Sequence, residues 1–331
     1  MSHDPLTCAL IIVYIALQPG SGNPSYGLRW AAMGAGDWRE LCYNDQNPYA
    51  EAFFKWWDTS LHRTLKQLRI TGGEPMMSGH TWKLLDWLAD NPNKSNCRID
   101  MTTNLSYDHD TLMRFLDKCS KIDQPIYVAS SSESVGAKDE YIRDGLKYDA
   151  WRANLVKFIE KANFRAVTIM MTVNSLCLFS ITEFLDDMSE LKTKYAPHRR
   201  NLDFNILRWP GFMSPLALPD PVKRELHGKL QAWFDKNIDS KLYSSGEKAQ
   251  IQRLLDYIEV VDKGHAHTTN DKQSLYHDFK SFFTQYDKRR GKDFCSTFPQ
   301  LADWYSSIQL TNTYPVSQQM SKGKISHFED G

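Results

Sequence analysis

Apolar and polar positions alternate along the chain in two distinct periods. Gln67 to Thr71 (QLRIT), Arg98 to Thr103 (RIDMTT), Pro125 to Ser130 (PIYVAS), Ala166 to Val173 (AVTIMMTV) and Leu202 to Leu207 (LDFNIL) are short, β-branched or apolar stretches. Each leads into polar or glycine-containing sequence, the signature of a strand. Between them the spacing changes to that of a helix. Trp151, Leu155, Ile159 and Ala162 form one stripe, and Ile181, Phe184, Leu185, Met188 and Leu191 form another. Strand ends recur often enough to leave room for a crossover helix between consecutive strands, as a parallel sheet requires.

Ahead of these units lies Cys8 to Leu17 (CALIIVYIAL), an unbroken apolar run bounded by Pro5 and Pro19. A membrane-crossing helix needs about 20 such residues, and a signal peptide needs a basic start, whereas Ser2, His3 and Asp4 precede this run. A buried strand rich in Ile, Val and Tyr is expected instead. With it the count reaches six strands, and the expected fold is α/β, a partial (β/α)6 TIM-like barrel. After Pro210 the strand signal ends, and residues 219–306 carry helical stripes only, such as Val222, Leu226, Leu230, Trp233 and Ile251, Leu254, Leu255, Ile258, Val261. The division expected is a barrel over 1–215, atypical in 1–30, and a C-terminal helical extension and tail over 216–331.

Composition narrows the function classes. The 331 residues carry 40 Lys+Arg against 40 Asp+Glu, a formal charge of zero, so bulk charge does not hold this chain to nucleic acid. His198-Arg199-Arg200 and Lys288-Arg289-Arg290 are short enough to be solvated helix ends or turns. The six cysteines stand at 8, 42, 97, 119, 177 and 295, too far apart for a zinc ribbon or a Cys-x-x-Cys redox pair and too few for a disulfide scaffold. A reducing cytoplasm is the expected location, with no membrane partner. His265-Ala266-His267 has the spacing of two metal ligands but is expected to be a polar loop. Neither a Gly-x-Ser-x-Gly elbow nor a Walker phosphate loop is present. Trp56, Trp57, Trp82 and Trp87 lie in helical patterns and are expected to pack, with Phe53, Phe54, Trp56 and Trp57 as an alternative partner surface.

In parallel α/β folds ligands gather at the carboxyl ends of strands. The first such end is Thr71-Gly72-Gly73-Glu74-Pro75. Its two glycines admit close backbone approach, Glu74 offers a carboxylate to a cation, and Pro75 stiffens the exit. The next ends are Thr102-Thr103-Asn104, then Ser130-Ser131-Ser132-Glu133 with Arg143 ten residues on, then Thr172-Val173-Asn174. Any one is an ordinary polar cap. Four on one rim describe a site for a ligand with an amine, a carboxylate and hydroxyls.

The strand followed by Thr71-Gly72-Gly73-Glu74-Pro75-Met76-Met77-Ser78 resembles the second strand of radical S-adenosylmethionine (radical SAM) enzymes. The resemblance continues through Thr102-Thr103-Asn104, Ser131, Glu133 and Glu140 to Leu146, and covers roughly residues 22–215, with Leu218-Pro219 and Lys288 to Gly291 similar to the subgroup with a helical tail. It implies that Gly72, Gly73 and Glu74 grip the cofactor's amino group. Ser131 and Arg143 would hold its carboxylate, Glu133 or Asn104 would meet the ribose, and Thr103 and Asn174 would stand on the same rim. It implies S-adenosylmethionine and a [4Fe–4S] cluster as cofactors, an electron donor, and an unknown small-molecule or peptide substrate.

Such a cluster is held by three cysteine thiolates, leaving one iron for the cofactor. The family's Cys-x3-Cys-x2-Cys run is absent. Gly22-Asn23-Pro24-Ser25-Tyr26 is similar to the sequence after the third cysteine, which places Ile15, Pro19 and Gly22 at the ligand positions. None of these side chains ligates iron. Three origins fit: a pseudoenzyme that keeps the pocket, a decaying copy of an active enzyme, or a frame error or wrong start in the first thirty residues. The expected function is therefore a radical SAM-type enzyme fold inactive as its sequence stands. The alternative is a non-catalytic protein binding S-adenosylmethionine, a nucleoside or a protein partner.

Overall fold

A computed structural model describes residues 11–12, 48–71, 74–161, 164–195, 200–259 and 272–310. The strands are β1 (Ile11–Ile12), β2 (Gln67–Ile70), β3 (Arg98–Thr103), β4 (Ile126–Ser131), β5 (Ala166–Val173) and β6 (Arg200–Ile206), lying side by side in sequence order. From β2 to β6 every pairing is parallel, with Ile70 opposite Met101, Thr103 opposite Ser130, Ser131 opposite Met170 and Val173 opposite Ile206. The helices are α1 (Pro48–Trp56), α2 (Gly79–Asp90), α3 (His109–Ser120), α4 (Gly136–Ile142), α5 (Tyr148–Lys161), α6 (Ile181–Lys194), α7 (Asp220–Asn237), α8 (Ser245–Glu259), α9 (Lys272–Arg290), α10 (Phe294–Thr297) and α11 (Ala302–Ser307). The chain is thus α/β, with a five-stranded parallel sheet and many helices.

One expectation is corrected. Of Cys8 to Leu17, only Ile11–Ile12 lies within the described residues, and it pairs antiparallel with Ile70 and Arg69 of β2. The apolar run predicts a strand but not its direction, because the long segment between it and β2 is compatible with either sense. Six successive parallel units are therefore not what the sheet contains. Val261, Ala162, His198 and Arg199, the His265–His267 loop and the last ten residues fall outside the described residues.

The register separates two unlike faces. Ile70, Met101, Val128 and Val167 share one face, as do Thr103, Ser130, Ile169 and Leu202; those that are apolar are buried. The helical stripes supply the opposing layer, with Trp151, Leu155, Phe184, Leu185 and Met188 buried. The other face carries Arg69, Asp100, Thr102, Tyr127, Ser131, Thr168, Met170, Thr172, Asp203 and Asn205, all half-buried or exposed. Parallel sheets are ordinarily apolar on both faces. A polar second face therefore sets this sheet apart and runs up to the strand-end rim.

The C-terminal helices extend the same buried cluster, which runs from Phe54 to Tyr305. Helix α8 also covers the outer edge of β6. Glu247 accepts the Leu202 N–H at 2.8 Å, Gln250 Oε1 accepts the Phe204 N–H at 3.0 Å, and Arg253 donates to the Phe204 carbonyl at 2.7 Å. Edge groups left open to pairing are thereby satisfied by side chains. Lys288 to Arg290 forms the exposed basic last turn of α9. Trp57 is fully buried with its ring 5.4 Å from that of Trp87, whereas Trp56 is exposed, so the aromatic segment divides between core and surface.

Candidate functional site

The chain leaves β2 through Glu74, which caps the short 3-10 turn Pro75–Met77; Gly72 and Gly73 lie outside the described residues. Pro75 is buried at the first position of that turn, where its missing N–H costs nothing. The Glu74 carboxylate turns toward the end of β3. Its Oε1 accepts from Thr103 Oγ1 at 2.9 Å, from the Tyr107 hydroxyl and, at 3.5 Å, from the Met76 N–H. Its Oε2 accepts the Asn104 N–H at 2.7 Å. Leu105, at φ +54°, bends the chain so that Tyr107 returns to Glu74. Burial and the Glu74 charge push the Tyr107 hydroxyl far above its ordinary value, which keeps it a donor. The Asn104 side chain stays local, accepting the Ser106 N–H at 2.8 Å.

A second carboxylate stands beyond β4. Glu133 is 1% exposed and meets Arg143, at the end of α4, in a two-pronged pair, with Nε donating to Oε2 at 2.6 Å and the second nitrogen donating to Oε1. The Thr172 N–H at the end of β5 also donates to Oε1, at 2.9 Å. Behind Glu133 lies Asp139 of α4, fully buried, which accepts from Ser132 Oγ at 2.7 Å and from the Glu133 N–H at 3.3 Å. Burial first, then the Glu133 charge, push the Asp139 carboxyl up to about 6, against the lowering effect of its two hydrogen bonds.

The residues singled out from sequence thus fall into three groups. Glu74, Thr103 and Asn104 meet at adjoining strand ends, with Tyr107 added. Glu133 and Arg143 meet as one ion pair, with Asp139 and the Thr172 amide added. Ser131 lies half-buried on the polar face, opposite Met170, while Asn174 serves its own turn by accepting the Leu176 and Cys177 N–H groups at 2.9 and 3.2 Å. Tyr107 and Asp139 were not candidates from sequence. Tyr107 depends on the left-handed bend at Leu105, and Asp139 on the orientation of α4. The only signal for Asp139 was an acidic residue inside a short helix facing the Ser132-Glu133 turn.

The described cysteines do not form a cluster site. Cys97, Cys119 and Cys177 are buried in the core, and burial pushes the Cys97 thiol up to about 12 and raises the other two as well. Among the described residues no group of three His, Cys, Asp or Glu side chains is placed to hold a metal ion. Cys295 is half-buried, and Cys8 and Cys42 lie outside the described residues. Among the described residues no three thiolates are placed to hold a [4Fe–4S] cluster. Among the described residues no helix is long and apolar enough to cross a membrane. Comparison of the chain with protein-family models, with curated proteins and with solved structures found no match.

Proposed function

We propose that the chain is built on a radical SAM-type scaffold, an open parallel barrel, and that its strand-end rim takes S-adenosylmethionine without cleaving it. The observation that carries this reading is the polar face of the parallel sheet, which leads to a rim bearing Glu74, Ser131 and Arg143. A ligand with an amine, a carboxylate and a ribose is complementary to such a rim. Glu74 would take the amine. Arg143, with Glu133 fixing one edge of its guanidinium, would take the carboxylate. Ser131 and Thr172 would border the sugar.

The parent chemistry of this scaffold is reductive cleavage of the cofactor for radical chemistry on a substrate, and it requires the cluster. With the three cysteines replaced by Ile15, Pro19 and Gly22, no such step is assigned to this chain. A second reading, in which a nucleoside or a protein partner replaces the cofactor, is favoured by one observation. Both rim carboxylates already have donors from the chain itself, so the rim is stable without a ligand.

Calorimetric titration with S-adenosylmethionine tests the proposal, together with anaerobic iron and sulfide reconstitution read as absorbance at about 400 nm. Binding without the absorbance band is the expected result. Glu74→Gln should weaken binding about tenfold, with a melting control to show that the variant is folded. No binding by the intact chain would sink the pocket reading, and a stoichiometric band would sink the claim that no cluster forms.

A further inference from the structure

We infer that the C-terminal helical segment sets the rim arginine, with Lys292 as the positioning residue; this rests on the reading that Arg143 belongs to the ligand site. Arg143 follows α4 directly, and the residues on both sides of it are tied to the segment around 286–294. On the N-terminal side, the Lys292 ammonium donates to the carbonyls of Glu140 and Tyr141, at 2.5 and 3.4 Å, and the Tyr286 hydroxyl donates to the Tyr141 carbonyl at 2.8 Å. On the C-terminal side, Asp144 pairs with Lys292 at 3.1 Å and with Arg290 at 2.9 Å. The Tyr141 hydroxyl in turn donates to Asp287 at 2.6 Å.

These contacts follow from the end of α9. Gly291 takes φ +62°, a left-handed conformation that ends the helix, and the Lys292 N–H donates to the Asp287 carbonyl at 3.1 Å. That six-to-one bond is a Schellman ending, which turns the chain back on itself. It carries Lys292, with a side chain 18% exposed, over the last carbonyls of α4. Carbonyls at a helix C-terminus lack intrahelical donors and favour a cation. Lys292 therefore fixes where α4 stops, and the next residue is Arg143. Loosening α9 or the turn after it would release the arginine from its pairing with Glu133, so the helical segment controls the rim without touching a ligand.

The test compares the intact chain with Lys292→Met and Lys292→Arg. The first readout needs no ligand: the Arg143 Nε–H signal in 15N NMR, assigned with Arg143→Lys, reports the pairing with Glu133. Lys292→Met should shift this signal toward that of a solvated arginine, and Lys292→Arg should restore it. The second readout is calorimetric binding of S-adenosylmethionine, expected to weaken about tenfold in Lys292→Met and to recover in Lys292→Arg. If Lys292→Met does not fold by circular dichroism, Tyr286→Phe removes one bond to the same carbonyl and takes the same two measurements. An unchanged Nε–H signal in the folded variant overturns the positioning role. Absence of binding by the intact chain overturns the cofactor reading instead, and the NMR comparison still decides the role of Lys292.

Discussion

Asp139 is a fully buried carboxylate beside a second one, and this arrangement has a calculable effect on stability. Its carboxyl is raised from 3.8 to about 6, by burial first and by the Glu133 charge. At about pH 4 and below, the folded and unfolded chains both hold the proton, so the group is neutral toward folding. Between about pH 4 and 6 the folded chain keeps a proton that the unfolded chain has released, and stability falls as pH rises. Above about 6 the loss is complete; at about 1.4 kcal/mol per pH unit it amounts to about 3 kcal/mol. Asp139→Asn removes the ionisation and keeps an amide oxygen for the Ser132 hydroxyl or the Glu133 N–H. Its absolute effect mixes this gain with one imperfect hydrogen bond, so the informative quantity is how the variant's effect changes with pH. Urea unfolding of both proteins at about pH 4.5 and 7.5 should show the variant gaining about 2 kcal/mol relative to the parent between the two conditions. Equal differences at the two pH values would refute the assignment of the raised carboxyl to Asp139.

Two further outcomes follow from buried groups elsewhere. Lys192 of α6 and Glu247 of α8 form an almost fully buried pair, and Glu247 also accepts the Leu202 and Ser244 N–H groups, each at 2.8 Å. Lys192→Met leaves the carboxylate uncompensated and should cost about 3 kcal/mol in chemical denaturation, while adding Glu247→Gln should return part of that loss, because it removes the buried charge while its single amide oxygen still accepts from one of the two N–H groups. Burial raises the thiols of Cys97, Cys119 and Cys177, so peptide mapping after brief treatment of the folded chain with a thiol reagent at about pH 8 should find these three unmodified; fast labelling would contradict their burial.

Much of the scaffold was legible because period and position coincide in it. Arg98 to Thr103 and Ala166 to Val173 are strands over the residues that alternation marks, and the stripe from Ile181 to Leu191 is buried at every position. The two-faced sheet was also present in the letters: in RIDMTT the residues Arg98, Asp100 and Thr102 alternate with Ile99, Met101 and Thr103. What did not follow was direction and pairing. The apolar run around Ile11 fixes strand character and leaves its sense to the connection. Glu133 and Arg143 were both marked, one for a ribose and one for a carboxylate, yet they close on each other, because ten residues of turn and short helix separate them by a return of the chain. Lys292 reaching Glu140 across 152 positions has no local signature at all.

The bonding of the rim carboxylates bears on what the site can accept. A carboxylate offers about four lone-pair sites. Glu74 spends those of Oε1 on Thr103, Tyr107 and Met76, while Oε2 receives the Asn104 N–H, so an amine approaching Oε2 displaces no internal donor. Arg143 commits its Nε–H and one further N–H to Glu133, out of about five that a guanidinium carries. A ligand carboxylate can therefore approach the opposite edge with the ion pair intact. The Glu133 charge, however, weakens the pull of Arg143 on any second anion, so a simple carboxylate gains little at this rim. Under the proposal a zwitterion would gain more, with Glu74 meeting its amine and Arg143 its acid. On the proposed reading, the rim would favour ligands carrying both charges, which an amino-acid head group does and an unmodified nucleoside does not.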